Sequence, residues 1–99
     1  MHLVLLRFSH RKAEAPRYME GHKAWLQRGF EEGAFLLSGS LEGGQGGLLL
    51  ANGQDADALL ARVNQDPFVI EGVVSADIVA VSPNRAAPRL EFLIPKAAA

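Results

Sequence analysis

His22 is the residue whose type and placement first suggest chemistry. Imidazole is the side chain whose ordinary titration lies nearest neutrality, so a positioned histidine can accept and return a proton. His22 lies four residues after Tyr18 and four before Leu26, within an apolar stripe at helical spacing. A polar group placed there needs a partner. The competing reading is a core or interface histidine satisfied by a backbone carbonyl, the commoner fate of a lone histidine on an apolar face. Asp66, in the stretch "NQDPFVIEG", is the second candidate. Its local explanation is sufficient by itself: Asp caps helix N-termini and Pro67 suits a first helical position, where no N–H has to be donated. Ser38 and Gly39 fall in mid-strand, either as small residues beneath a helix or as a point where backbone or ligand approaches closely.

Other chemistries find little support. There is no Cys, hence no disulfide framework, thiol nucleophile or Cys-type zinc site. His2, His10 and His22 lack metal-type spacing, and a His plus Asp pair would hold zinc only weakly with waters completing the sphere, so neither metal nor cofactor is expected. "EGGQGG" (Glu42 to Gly47) sits between two strands instead of opening a helix, which makes it a hairpin turn and not a phosphate-binding loop. Ser9, Ser38, Ser40 and Ser75 have no nucleophile-elbow context. A formal net charge of −1 and a pI near 6.3, with Lys and Arg scattered, offer no footprint for nucleic acid. "MHLVLLRF" is too short for a signal peptide, and no run of 18 uncharged apolar residues occurs. No membrane partner and a cytoplasmic location are the expectations.

The elements that must position these residues follow from periodicity. With 99 residues, 48% hydrophobic and 21% charged, the chain is expected to form one compact domain. Met1 to Phe8 reads as a strand, apolar on alternate positions and little more polar between them. Glu14 to about Glu32 reads as a long helix, with Pro16 in its first turn and Gly33 as its stop. "AFLLSGSL" (Ala34 to Leu41) and "GGLLLA" (Gly46 to Ala51) form a hairpin across the Gly-rich turn. Asp55 to Val63 is a second helix, with Asn52 to Asp55 as its capping region. A short helical turn from Pro67 to Glu71 precedes a fourth strand, "VVSADIVAVS" (Val73 to Ser82), stopped by Pro83.

The resulting order, βαββαβ, is the split βαβ pattern of ferredoxin-like α+β folds, with two helices over one face of a four-stranded antiparallel sheet. Both faces of the first and fourth strands are apolar, so the face left bare by the helices is expected to meet a second copy, giving a homodimer. Residues 84–99 form a C-terminal extension whose strand-like run "RLEFLI" could extend a sheet edge or reach across a dimer, before a frayed "KAAA".

Over residues 1–83 the chain resembles the YCII (YciI-like) family. The segments that carry the resemblance are "GHKAWL" around His22, "EGAFLLSGSL" on the second strand, and "NQDPFVIEGVVSADIVAVSP" from Asp66 into the fourth. The resemblance implies a dimeric α+β barrel with a His/Asp active site, carried here onto His22 and Asp66. One relative is a dehydrochlorinase acting on a chlorinated hydroxyquinone, and similar barrels include muconolactone isomerase. Elimination or isomerisation of a small cyclic or carbonyl compound is the implied chemistry. Many relatives carry Arg three residues before the histidine and Pro after the strand glycine, where this chain has Met19 and Ser40. Arg17 is two residues off the first of those positions.

In such a dyad an ionised Asp66 accepts from one imidazole nitrogen, fixes the tautomer, stabilises imidazolium and leaves the other nitrogen for substrate. Ser38, Gly39, Trp25 and Phe68 would line or wall a substrate pocket, core packing being the competing role for all four. The rival to an enzyme is a non-catalytic metabolite-binding or regulatory module using the same pair. A purely structural pair is the third reading.

Overall fold

The first strand, β1 (His2–Phe8), sends Val4, Leu6 and Phe8 to one face and Leu3, Leu5 and Arg7 to the other, as the two-residue period of a strand requires. In the computed structural model, which describes residues 1–53 and 55–95, β1 is a central strand. It pairs antiparallel with β3 (Gly46–Ala51) on one side and β4 (Val74–Ala80) on the other. β2 (Phe35–Leu41) joins β3 through the expected hairpin, giving the sheet order β2-β3-β1-β4. Register aligns Val4 with Leu49 and Ile78, and Leu6 with Gly47 and Ala76, so like faces stack across the sheet.

Three helices complete the α+β ferredoxin-like βαββαβ architecture: α1 (Ala15–Glu31), α2 (Ala56–Val63) and the single turn α3 (Pro67–Ile70). A 3-10 turn at Lys12–Glu14 leads into α1, which ends where Gly33 adopts φ 75°. The Asp55 carboxylate caps α2 by accepting from the Asp57 N–H at 3.0 Å. Trp25 of α1 packs with Val4, Leu49, Phe35, Val63 and Phe68 in one core between helices and sheet. Its indole N–H donates to the Arg62 carbonyl at 2.9 Å, which ties α1 to α2. The Arg62 guanidinium also donates to Glu32 at 2.5 Å and, by that bond and its charge, holds the Glu32 carboxyl below the usual carboxylate range.

Among the described residues the opposite sheet face has no such cover. Leu3, Leu5, Leu48 and Leu50 are only partly buried there, while Leu37 and Val79 are exposed. No helix among the described residues is long and apolar enough to cross a membrane.

Most element ends fall within a residue of the sequence reading, and two segments depart further from it. β4 starts at Val74 and ends at Ala80, although the edge continues one step further: the Val81 N–H donates to the Met1 carbonyl at 2.8 Å and the Met1 amine to the Val81 carbonyl at 3.0 Å. The run "RLEFLI" is not a strand in this chain. Pro88–Leu93 forms a 3-10 helix, with i to i+3 bonds from Leu90 to Ala87 and from Ile94 to Glu91. Pro88 explains the choice, because its fixed φ starts a helical turn and it has no N–H to give to a sheet ladder. Residues 96–99, where fraying was expected, lie outside the described residues.

Gly46 allows β3 to approach β1. Its φ is 135°, and a Cβ there would collide with the Leu6 carbonyl. Gly46→Ala is expected to lower the unfolding free energy by about 1–3 kcal/mol with an unchanged denaturant slope in urea unfolding. Wild-type stability would contradict the close approach.

Candidate functional site

α1 turns its Tyr18–His22–Leu26 stripe inward, which leaves the His22 side chain 14% exposed. Gly21, beside it, permits a close crossing: a Cβ at that position would lie 3.0 Å from the Pro67 ring. The chain leaving α2 arrives at this point. Asp66 takes an extended conformation (φ −66°, ψ 123°) as the N-cap of α3 and is fully buried. Its Oδ1 accepts from the Phe68 N–H at 3.0 Å, as the sequence reading of the cap expects.

The same oxygen is 2.8 Å from His22 Nδ1. With an ionised carboxylate as acceptor, Nδ1 carries the proton and donates, and the neutral ring then offers Nε2 as an acceptor. Phe68 stacks on the imidazole with ring centroids 4.1 Å apart and planes 5° from parallel. The ring is therefore held in orientation by a bond at one edge and an aromatic surface on one face. Among the described residues Nε2 has no hydrogen-bond partner, nor does the buried Asp66 Oδ2.

His22 lines a cleft of about 620 Å³ between α1 and the β2–β3 hairpin, with Leu6 and Phe8 of β1 on its floor. Ser38, Gly39 and Phe68 line it as well. Trp25 does not, so of its two candidate roles it takes core packing and not that of a pocket wall. It is 1% exposed, packs against Phe35 and sits 5.8 Å from His22 by ring centroids, so it supports the imidazole from the core. Met19 and Ser40, at the two positions that depart from the YCII pattern, both line the cleft. Arg17 does not reach it and instead pairs with Glu14 at 3.8 Å on the surface. Among the described residues no group of three or more His, Cys, Asp or Glu is placed to hold a metal.

Sequence reasoning missed Leu6, Phe8, Leu26 and Glu42 as cleft residues. The apolar three carry the same signal as core positions, and only the gap between α1 and the hairpin distinguishes them. Glu42 carries no signal beyond membership of a turn.

No family model matches the chain, and no curated protein does. Among solved structures it is similar to the 5-chloro-2-hydroxyhydroquinone dehydrochlorinase of Burkholderia phenoliruptrix AC1100 in complex with 2,5-dihydroxybenzoquinone. The TM-score is 0.69 at 16% identity, over 85% of this chain and 96% of that one. The likeness is one of fold. It agrees with the ferredoxin-like strand order and with the architecture that the YCII resemblance implies.

The two bonds on Asp66 Oδ1 can be separated by substitution. Asp66→Ala removes the cap and the imidazole partner together and is expected to cost about 2–4 kcal/mol. Asp66→Ser keeps a capping hydroxyl too short to reach His22 and should recover about 1 kcal/mol of that loss. Urea unfolding of the two variants checks this, and equal losses would contradict the capping role.

Proposed function

We propose that the protein is a small-molecule enzyme in which His22 is the general acid/base and Asp66 its positioning residue. The reaction class is elimination, isomerisation or a related lyase step on a small cyclic or carbonyl compound. The carrying observation is the 2.8 Å bond from His22 Nδ1 to a buried carboxylate, on an imidazole whose other nitrogen is unpartnered beside an open cleft. The similarity in fold to a dehydrochlorinase supports elimination as the class to examine first, and the quoted motifs support membership of the YCII family.

The chemistry follows from the tautomer. Nε2 takes a proton from a substrate carbon or hydroxyl, and the electron pair released moves into a new double bond. In elimination the leaving group departs with its own electron pair, whereas in isomerisation imidazolium returns the proton at another atom. Asp66 stabilises the imidazolium in between, and Phe68 keeps the ring plane fixed. A positioned acid/base of this kind is worth roughly 10²–10⁴ in rate.

The proposal includes a homodimer through the open sheet face. Leu3, Leu5, Leu48, Leu50, Leu37 and Val79 form a mainly apolar surface, with Asp77 opposite Leu5, that the helices do not cover, and a second sheet packed against it would bury it by a self-complementary contact.

Chloride release from 5-chloro-2-hydroxyhydroquinone, followed by a panel of small cyclic ketones and quinones, tests the reaction. Turnover by wild type is expected, with kcat reduced about 100-fold or more in His22→Asn and KM within a few fold. Binding without turnover of any compound would instead favour the metabolite-binding module, and undiminished turnover in His22→Asn would remove His22 from the chemistry. For the assembly, sedimentation should give a dimer for wild type and a folded monomer for Leu5→Glu, whose charge would be buried unpaired at the centre of the interface. A wild-type monomer at high concentration would contradict it.

A further inference from the structure

Among the described residues no Lys or Arg belongs to the cleft wall, which is mainly apolar apart from His22, the Ser38 and Ser40 hydroxyls and the Glu42 carboxylate. A cation nevertheless sits at its rim. Lys12, on the 3-10 turn before α1, donates from Nζ to the Gly44 carbonyl at 2.9 Å and lies 5.1 Å from the centroid of the Phe8 ring. Phe8 and Gly44 both line the cleft, from β1 and from the hairpin turn. Two independent contacts therefore pin one ammonium where the turn meets the strand. Gly43 and Gly44 adopt φ 78° and 69°, a conformation that turns the Gly44 carbonyl to its partner at no side-chain cost.

Arg11 and Arg17, on either side of Lys12 in the chain, are occupied elsewhere. Arg11 donates to the Glu71 carbonyl at 2.5 Å, and Arg17 pairs with Glu14. Lys12 has three N–H donors, and Gly44 takes one of them. The remaining two are available to an acceptor at the cleft rim.

We propose that the cleft selects small, mainly apolar molecules bearing an anionic oxygen, a carboxylate or a phenolate, and that Lys12 is the residue that reads this charge. This rests on the reading of the cleft as the ligand site. The charge is met at the exposed rim, while the part-buried His22 lies on the cleft wall. Glu42 has the opposite sign, and it disfavours an anion that Lys12 does not hold.

Calorimetric titration of the intact protein with 4-hydroxybenzoate and its neutral counterpart 4-hydroxybenzamide tests the assignment. Wild type should prefer the carboxylate by about fivefold, the order of one exposed charge contact. Lys12→Gln should abolish the preference, Lys12→Arg retain it, Glu42→Gln enlarge it, and raised salt diminish it. Equal affinities in wild type, a preference that survives Lys12→Gln, or no binding of either compound overturns the proposal. His22→Asn should keep the preference. Undiminished turnover in His22→Asn with an intact Lys12-dependent preference would thus defeat the acid/base reading alone, whereas His22-dependent turnover with a preference that survives Lys12→Gln would defeat this one alone.

Discussion

A single carboxylate oxygen, Asp66 Oδ1, joins three parts of this fold. It ends the excursion from α2, starts α3 by capping Phe68, and holds an imidazole carried by α1. A buried carboxylate is costly unless its hydrogen bonds are made, so the helix crossing and the histidine orientation constrain each other. Gly21 against Pro67 permits the crossing, and Phe68, fixed by the cap, supplies the surface on which the imidazole stacks. A local capping motif thereby becomes the support of the histidine that lines the cleft.

The sheet imposes the second constraint. Its strands are apolar on both faces, yet the helices cover one. On the covered face the β2–β3 hairpin stands away from α1, and the space between them is the cleft. On the bare face the same alternation leaves Leu3, Leu5, Leu37, Leu48, Leu50 and Val79 near the surface, with Asp77 set opposite Leu5. The pocket and the bare face are thus two outcomes of one pattern: more apolar strand surface than two long elements of helix can cover.

Strands and helices were legible because their signals are local. The alternation in "HLVLLRF", the stripe through Tyr18, His22 and Leu26, and the pair Asp66–Pro67 each specify an element without reference to distant residues. His22 was legible as an anomaly, a polar group on an apolar stripe. Its partner was not, since 44 residues separate it from Asp66 and periodicity says nothing about which loop will cross α1. Only the family resemblance paired them. "RLEFLI" misled because β-like composition was read without weighing Pro88, whereas Trp25 took the core-packing alternative because its volume was needed there. Lys12 gave no signal at all, since a surface lysine acquires meaning only from what the hairpin turn brings to it.

The orientation of His22 by Asp66 is best tested by ¹⁵N NMR of the imidazole nitrogens at a pH alkaline enough to leave the ring neutral, in wild type and in Asp66→Ser. Wild type should show the Nδ1–H form, with Nε2 unprotonated toward the cleft, and the variant should shift toward the Nε2–H form that an unrestrained imidazole prefers. The same tautomer mixture in both proteins would show that the carboxylate does not set the proton's position, and the acid/base assignment would lose its foundation.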